Sequence, residues 1–378
     1  MKVCHLIAGL GLGGAEMMLC NLLRGLTSLG VQSSVLSLSG SGELASHIER
    51  LGIPVAQYGM GYLSCFPGMR KVVSRLREFR PDVTQTWMYQ ADAYGGIASR
   101  LAGVNKVVWG IHNGGFPPGY SNQKTLLIAK GCALLSRRIP SRIVSCSVAA
   151  QKLHESLGYD KSRMVHIPNG FDTVRFAPDA AAGGRLRGEL GVAENDFLVG
   201  MVARFDPVKD HETFVRAAAI FHVHNPRARF VMCGKDVDHQ NAAIRRWLGS
   251  GGVGGRFLLL GKRDDVSQLM NAMDVVTCCS KSEAFPNVVG EAMACGVPCV
   301  VTDVGDCALM VGDTGVVVSP GDPDALAGAW AKLGKMDAGS RRRLGELGRQ
   351  RVLEHYSLDR MVRRYLELYQ TLGGKRGD

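Results

Sequence analysis

Short apolar runs alternate along this chain with longer stretches whose apolar positions recur every three or four residues. Val3–Ala8 is an apolar run, followed by GLGLGG and a helical-period segment, Ala15–Leu26. That order predicts strand, glycine turn and helix. The same reading predicts strands at Val31–Leu38, Val55–Tyr58, Val83–Thr86, Lys106–Ile111, Arg142–Ser147 and Met164–Ile167. Helices are expected between them at Leu44–Leu51, Gly68–Phe79, Ala91–Ala102, Lys124–Ser136 and Ala149–Leu157. IPNGF, at Ile167–Phe171, interrupts the pattern with Pro and Asn-Gly, and a Gly/Ala-rich connecting stretch, Ala180–Gly184, follows.

The alternation then restarts. Strands are expected at Phe197–Ala203, Arg229–Cys233, Phe257–Leu260, Val275–Cys279, Cys299–Thr302 and Val316–Val318. Helices are expected at His211–His224, Asn241–Leu248, Val266–Ala272, Val288–Ala294, Pro323–Leu333, Ser340–His355 and Leu358–Leu372. Strands alternating with helices imply parallel sheets covered on both faces. The expected class is α/β, with two Rossmann-like doubly wound domains, 1–168 and 169–357, facing across a cleft. The segment 358–378 is expected to pack back on the first domain. Ligands in such sheets gather at the carboxyl ends of the strands.

With 378 residues, 46% hydrophobic, 21% charged and 48 Gly, the chain can bury two cores, and the composition excludes disorder. Charge sharpens the picture. Residues 1–170 hold 18 Lys/Arg against 8 Asp/Glu, whereas the remainder is nearly balanced at 27 against 26. A basic first half suits an anionic partner. The eleven cysteines include no CxxC pair and sit mostly in apolar segments, as in a reducing compartment, so a cytoplasmic location is expected. No apolar stretch approaches a membrane span, and the opening run is too short for a secretory core.

Gly9-x-Gly11-x-x-Gly14 fits a dinucleotide-binding turn, but the next strand ends Ser37-Leu38-Ser39 and the nearest acid is Glu43. That departs from nicotinamide binding and leaves a glycine turn whose backbone can approach a ligand. In the second half, MVARFDPVKD places Arg204 at a strand end and Lys209 five residues later. Two cations there suit a diphosphate. SEAFPNVVGEAMACG then puts Glu283 at a strand end and Glu291 about one turn inside a helix. The N–H groups of Asn287, Val288 and Val289 would form an anion site between these acids. Such a set fits a nucleotide-sugar. Asp236-Val237-Asp238 has no further ligand set around it, so no metal and no cofactor are expected.

The Glu283–Glu291 element, the Arg204/Lys209 pair, Gly13–Glu16 (GGAE) and Asn169-Gly170-x-Asp172 resemble glycosyltransferase family 4, which has the GT-B fold. Thr86–Gly96 and Val107–Asn113 resemble its bacterial surface-polysaccharide members. The resemblance implies a retaining, metal-independent transferase with the acceptor on the first domain and the nucleotide-sugar on the second. A UDP-sugar is preferred over a GDP-sugar, and the acceptor is a saccharide or a lipid-linked saccharide. By the same resemblance His112 lies beside the donor sugar, Arg204 and Lys209 bind the diphosphate, Glu283 the sugar hydroxyls and Glu291 the ribose. His112, Arg204, Lys209 and Glu283 are the expected catalytic set. Gly13 and Gly14 would close over the phosphates, Lys262 and Arg263 lie where the base is bound, and Phe285, Pro286, Asn287, Val288 and Val289 complete the donor site. The leaving phosphate would assist deprotonation of the acceptor on the face it departs from, since no carboxylate in the first domain stands out near His112.

The excess charge of the first half gathers in Arg70, Lys71, Arg75, Arg77 and Arg80, and in Lys124, Lys130, Arg137, Arg138 and Arg142 beside Leu126, Leu127, Ile128, Leu134 and Leu135. Basic residues against an apolar face suit an anionic membrane surface, here the inner face of the cytoplasmic membrane. No aromatic-basic motif for nucleic acid is visible. A sugar-nucleotide epimerase of the same fold is the alternative, and a catalytically dead binding subunit is a third reading.

Overall fold

The computed structural model describes residues 1–40, 42–59, 65–116 and 123–373; the last five residues of the expected C-terminal segment lie outside them. The chain divides into two compact units. Unit 1 holds Met1–Gly170 together with the segment from Leu358, and unit 2 holds Phe171–Ser357.

Unit 1 opens with β1 (Lys2–Ile7), α1 (Gly14–Ser28), β2 (Gln32–Ser37), α2 (Ala45–Glu49), β3 (Val55–Gln57) and α3 (Cys65–Phe79). It continues with β4 (Val83–Trp87), α4 (Tyr89–Leu101), β5 (Val107–Ile111), α5 (Gln123–Leu135), β6 (Arg142–Ser145), α6 (Val148–Ser156) and β7 (Met164–His166). Unit 2 runs α7 (Ala180–Glu189), β8 (Phe197–Val202), α8 (His211–His224), β9 (Ala228–Cys233), α9 (Ala242–Gly251) and β10 (Phe257–Leu259). Then come α10 (Val266–Ala272), β11 (Val275–Cys278), α11 (Asn287–Ala294), β12 (Cys299–Thr302), α12 (Cys307–Val311), β13 (Gly315–Val318), α13 (Pro323–Gly334) and α14 (Ala338–His355). The final helix, α15 (Leu358–Gly373), returns to unit 1.

Both sheets are parallel. Unit 1 is ordered β3-β2-β1-β4-β5-β6-β7 and unit 2 β10-β9-β8-β11-β12-β13. In each, the first strand lies beside the fourth, with Ile7 in register with Trp87 and Val199 with Val275. This is the doubly wound order, in which the chain reverses direction beside the first strand. Apart from the edge strands β3, β7 and β13, the strands are nearly continuous buried runs, as helices on both faces require. Among the described residues ten free cysteines are all buried, and no helix is long and apolar enough to cross a membrane.

One expectation fails in unit 2. Ala180–Gly184, read as a connecting stretch, opens α7, which Asp179 caps by accepting from the Ala182 N–H at 2.8 Å. Gly183 is there for packing: a Cβ on it would run into the Asn271 carbonyl oxygen of α10, whereas Gly184 has open space beside it. Helix propensity is surrendered for a close helix–helix approach. The short α12 was not foreseen either.

Candidate active site

In unit 2 the site is built on the loops after β8 and β11. The β8 loop carries Arg204, then a single 3-10 turn, Pro207–Lys209, capped by Asp206 through the Val208 N–H. Asp210 follows in the left-handed region, with φ 56°. It holds that conformation because Thr213 Oγ1 donates to its carboxylate at 2.8 Å and Lys281 pairs with it at 3.1 Å. The Lys281 N–H also donates to the Val208 carbonyl, which fastens the β8 loop to the β11 loop.

This fastening brings Lys209 and Glu283 together, 74 residues apart in sequence. Lys209 Nζ donates to Glu283 Oε1 at 2.5 Å, and Ser280 Oγ donates to the same oxygen at 2.7 Å. Oε2 has no hydrogen-bond partner among the described residues. Both side chains are largely buried, at 23% and 11% exposure. Burial works against the Lys209 charge, but the Glu283 carboxylate beside it outweighs that cost and holds the amine above its ordinary value. Gly305, at φ 55°, packs under Glu283; a Cβ there would strike the Glu283 carbonyl oxygen. Ser280 escaped the sequence reading because its role depends on the Lys209 loop folding over it.

Arg204 is not part of that knot. Its guanidinium is 57% exposed and pairs with Asp206 of its own loop at 2.8 Å. Pro286 caps α11, and its carbonyl accepts from the Val289 N–H at 3.1 Å. That N–H, expected free for an anion, is therefore spent inside the first turn. The Val289 side chain is wholly buried, and Phe285 is buried against Phe171, with near-parallel rings 6.1 Å apart. Both side chains serve the core of unit 2. Glu291, on α11, is pushed up to about 7 by burial, with Arg175 opposing the shift; its carboxyl has no hydrogen-bond partner among the described residues. Arg263 follows the β10 turn at Gly261 and is locked to Asp265 by two bonds of 2.5 and 2.7 Å, with Lys262 between them in sequence. Asp238 caps the turn before α9 by accepting from the Gln240 N–H, and the Asp236 carbonyl accepts from Asn241. Local hydrogen bonding accounts for the Asp238 carboxylate. Among the described residues no group of three His, Cys, Asp or Glu is placed to hold a metal ion.

In unit 1 the glycine turn leads into α1 with Gly13 as its cap and Gly14 as its first residue. The Glu16 carboxylate lies against Gly13, so a negative group already occupies the first turn. His112 sits immediately after β5. Its ring stacks on Trp87, 4.9 Å away and 15° from parallel, and its Nε2 is buried with no partner among the described residues. Burial pushes it down to about 4, so the imidazole is neutral at ordinary pH. A carboxyl does lie nearby, contrary to the sequence reading: Asp92 Oδ1 accepts from the Gly110 N–H at 3.3 Å and from Thr86 Oγ1 at 2.5 Å. Burial holds it up to about 8, so it is mostly protonated at neutral pH and unsuited to act as a nucleophile.

A family model described as Glycosyltransferase Family 4 matches residues 12–175, and one described as Glycosyl transferases group 1 matches residues 196–335. The chain carries a Glycosyltransferase Family 4 domain followed by a Glycosyl transferases group 1 domain. This transferase is 28% identical over 280 residues to a UDP-Gal:α-D-GlcNAc-diphosphoundecaprenol α-1,3-galactosyltransferase of Escherichia coli, covering 72% of each chain. It is 31% identical over 187 residues to an N-acetyl-α-D-glucosaminyl L-malate synthase of Bacillus anthracis, covering 49% of this chain and 48% of that one. The crystal structure of Anabaena HepE in complex with UDP superimposes with a TM-score of 0.87 at 25% identity, over 98% of this chain and 100% of that one. The fold is GT-B, and the transferase is an enzyme that moves a glycosyl group.

Proposed function

We propose that the enzyme transfers a hexosyl group from a UDP-sugar to a lipid-linked saccharide in cell-surface polysaccharide synthesis, with retention at the anomeric carbon and without a metal. One observation carries the reading: Lys209 and Ser280 converge on one oxygen of Glu283 and leave the other open, at the carboxyl ends of β8 and β11. A carboxylate so held can accept from sugar hydroxyls while the adjacent ammonium meets a phosphate. The Escherichia coli relative is named for a UDP-sugar and a diphospholipid acceptor, and HepE was crystallised with UDP. Both names support a uridine nucleotide, and the first a lipid-linked acceptor.

Breaking the anomeric C–O bond leaves positive charge on the sugar and added negative charge on the diphosphate. Lys209, and Arg204 swung away from Asp206, would stabilise the latter. Removing one such donor typically costs about 2.7–4 kcal/mol of transition-state stabilisation. Glu291 would take the ribose, Lys262 and Arg263 the region of the base, and Gly13 and Gly14 the phosphates. His112 would stand beside the transferred sugar as a neutral hydrogen-bonding group. The departing phosphate oxygen would receive the acceptor's proton on the face it leaves.

On α5, Leu127 and Leu134 stand 71% and 81% exposed, seven residues apart on the helix that carries Lys124 and Lys130. An exposed apolar pair on a basic helix supports peripheral docking at an anionic leaflet, where a lipid-linked acceptor resides. The reading is tested by thermal shift with UDP, UDP-glucose, UDP-galactose and GDP, followed by transfer assays with and without EDTA. A ligand at 100 times its Kd should add about 2.7 kcal/mol. Stabilisation by GDP and not UDP would overturn the donor assignment. Undiminished transfer by Arg204→Ala/Lys209→Ala would overturn the site.

A further inference from the structure

The His112 ring has no hydrogen-bond partner among the described residues, at either nitrogen. Imidazoles in working sites are ordinarily aimed by a hydrogen bond to one ring nitrogen, which commits that nitrogen. Something else must set this ring's plane. We propose that Trp87 is the positioning residue of His112, orienting the imidazole by stacking in place of a hydrogen bond, so that Nδ1 is left uncommitted while Nε2 is buried. The inference rests on the transferase reading, in which His112 faces the transferred sugar.

Trp87 is itself immobilised from three sides. It is 1% exposed. Its indole N–H donates to His5 Nδ1 of β1 at 3.3 Å, which fixes the in-plane rotation of the indole. Its ring also runs 22° from parallel to Tyr365, which α15 brings back from the far end of the sequence, with centroids 6.3 Å apart. Tyr369, one turn further along α15, donates to Gln85 of the same strand, β4.

The backbone under the stack is equally constrained. Met88, directly after Trp87, has φ 71° and ψ 158°, a conformation L-residues rarely adopt. Its N–H donates to the Gly110 carbonyl at 3.0 Å, while the Gly110 N–H is held by Asp92. Both backbone groups of the residue two positions before His112 are thus tied to the β4–α4 corner. The strain at Met88 is retained at the point where β4 hands the stacking ring to β5.

Burial keeps His112 neutral, and on this proposal the stacked Trp87 ring supplies part of that shielding. The other titratable groups around the pair are His5 on β1, Asp92 on α4, and Tyr365 and Tyr369 on α15. His5 is held down to about 3 and Asp92 up to about 8, so neither titrates near pH 6. Burial raises both tyrosines above their ordinary range.

The test uses the full chain with Trp87→Leu and Trp87→Phe, following His112 by NMR titration, with His112→Asn to assign the signal. Wild type should show no His112 titration between pH 5 and 8. Trp87→Leu should bring the value toward about 6.5, add a falling acid limb to kcat below that pH, and lower kcat at least tenfold with UDP affinity unchanged. Trp87→Phe keeps a ring and should lie between the two, and it serves if the leucine variant does not fold. A folded Trp87→Leu, or failing that Trp87→Phe, with wild-type kcat and no His112 titration would overturn the proposal. Full turnover by His112→Ala would instead overturn the role given to His112, and the titration would still report the positioning.

Discussion

Unit 1 and unit 2 wind their sheets in the same order, so β4 and β11 occupy the same place, each beside the first strand of its sheet. The corner after β4 buries an indole against a neutral histidine, with a protonated aspartic acid on the Gly110 N–H nearby. The corner after β11 buries a carboxylate against an ammonium and a hydroxyl. One topology therefore supports two ways of keeping polar groups at a strand end. In unit 1 water is excluded and charge is suppressed; in unit 2 charge is kept and compensated. The difference suits the work proposed for each, since a sugar's neutral hydroxyls need aimed dipoles whereas a leaving diphosphate needs fixed cations. The corner after β4, and the β8 loop fastened to the second corner, each carry a non-glycine residue at positive φ, Met88 and Asp210. Asp210 is held there by an ion pair, Met88 by a backbone bond.

The comparison can be broken most forcefully at the charged corner. Lys209→Met leaves the Glu283 carboxylate without its cation and should lose about 3 kcal/mol of stability in urea unfolding, with turnover down at least 100-fold. Lys209→Met/Glu283→Gln should recover most of the stability and none of the turnover. If the pair of changes is no more stable than the single one, the corner is not held by charge compensation.

A smaller effect is expected from Ser280→Ala. Losing one hydrogen bond to a charged group costs about 1.5–3 kcal/mol, and the expectation is a rise in donor KM near tenfold with UDP affinity kept. Ser280→Thr should restore it.

The smallest effect concerns Glu291, the acid of unit 2 that burial raises as it raises Asp92 of unit 1. A carboxyl raised from 4.5 to about 7 on folding binds its proton more tightly in the folded state. Its contribution is therefore full below about pH 4.5 and is lost as pH climbs through about 7. Glu291→Gln should melt several degrees higher than wild type at pH 8, with the gap closing by pH 5. Equal gaps at both pH values would show that the carboxyl is not desolvated.

Much of this architecture was legible because strands buried on both faces read as unbroken apolar runs, and because Lys209, Glu283 and Glu291 sit at fixed offsets from strand ends. The α7 helix was not, since Gly183 and Gly184 argue against a helix and the fold accounts only for Gly183, on whose backbone Asn271 of α10 presses. Phe285 and Val289 carry no mark in the sequence that they turn into the core. Trp87 and Ser280 acquire their roles only from neighbours that strand pairing supplies, Trp87 from β5 and Ser280 from the loop after β8. Asp92 looked like an ordinary acid of a helix's first turn, and only its burial against Gly110 reveals a neutral group.

The return of α15 to unit 1 has a consequence for biosynthesis. Tyr365, Tyr369, Met361 and Val362 are core residues of unit 1, yet they are translated after all of unit 2. Unit 2 is contiguous and can mature as soon as it leaves the ribosome, whereas unit 1 must wait, its sheet made but its last layer missing. A released chain truncated after residue 357 should therefore resist protease over 171–357 while 1–170 is readily cut.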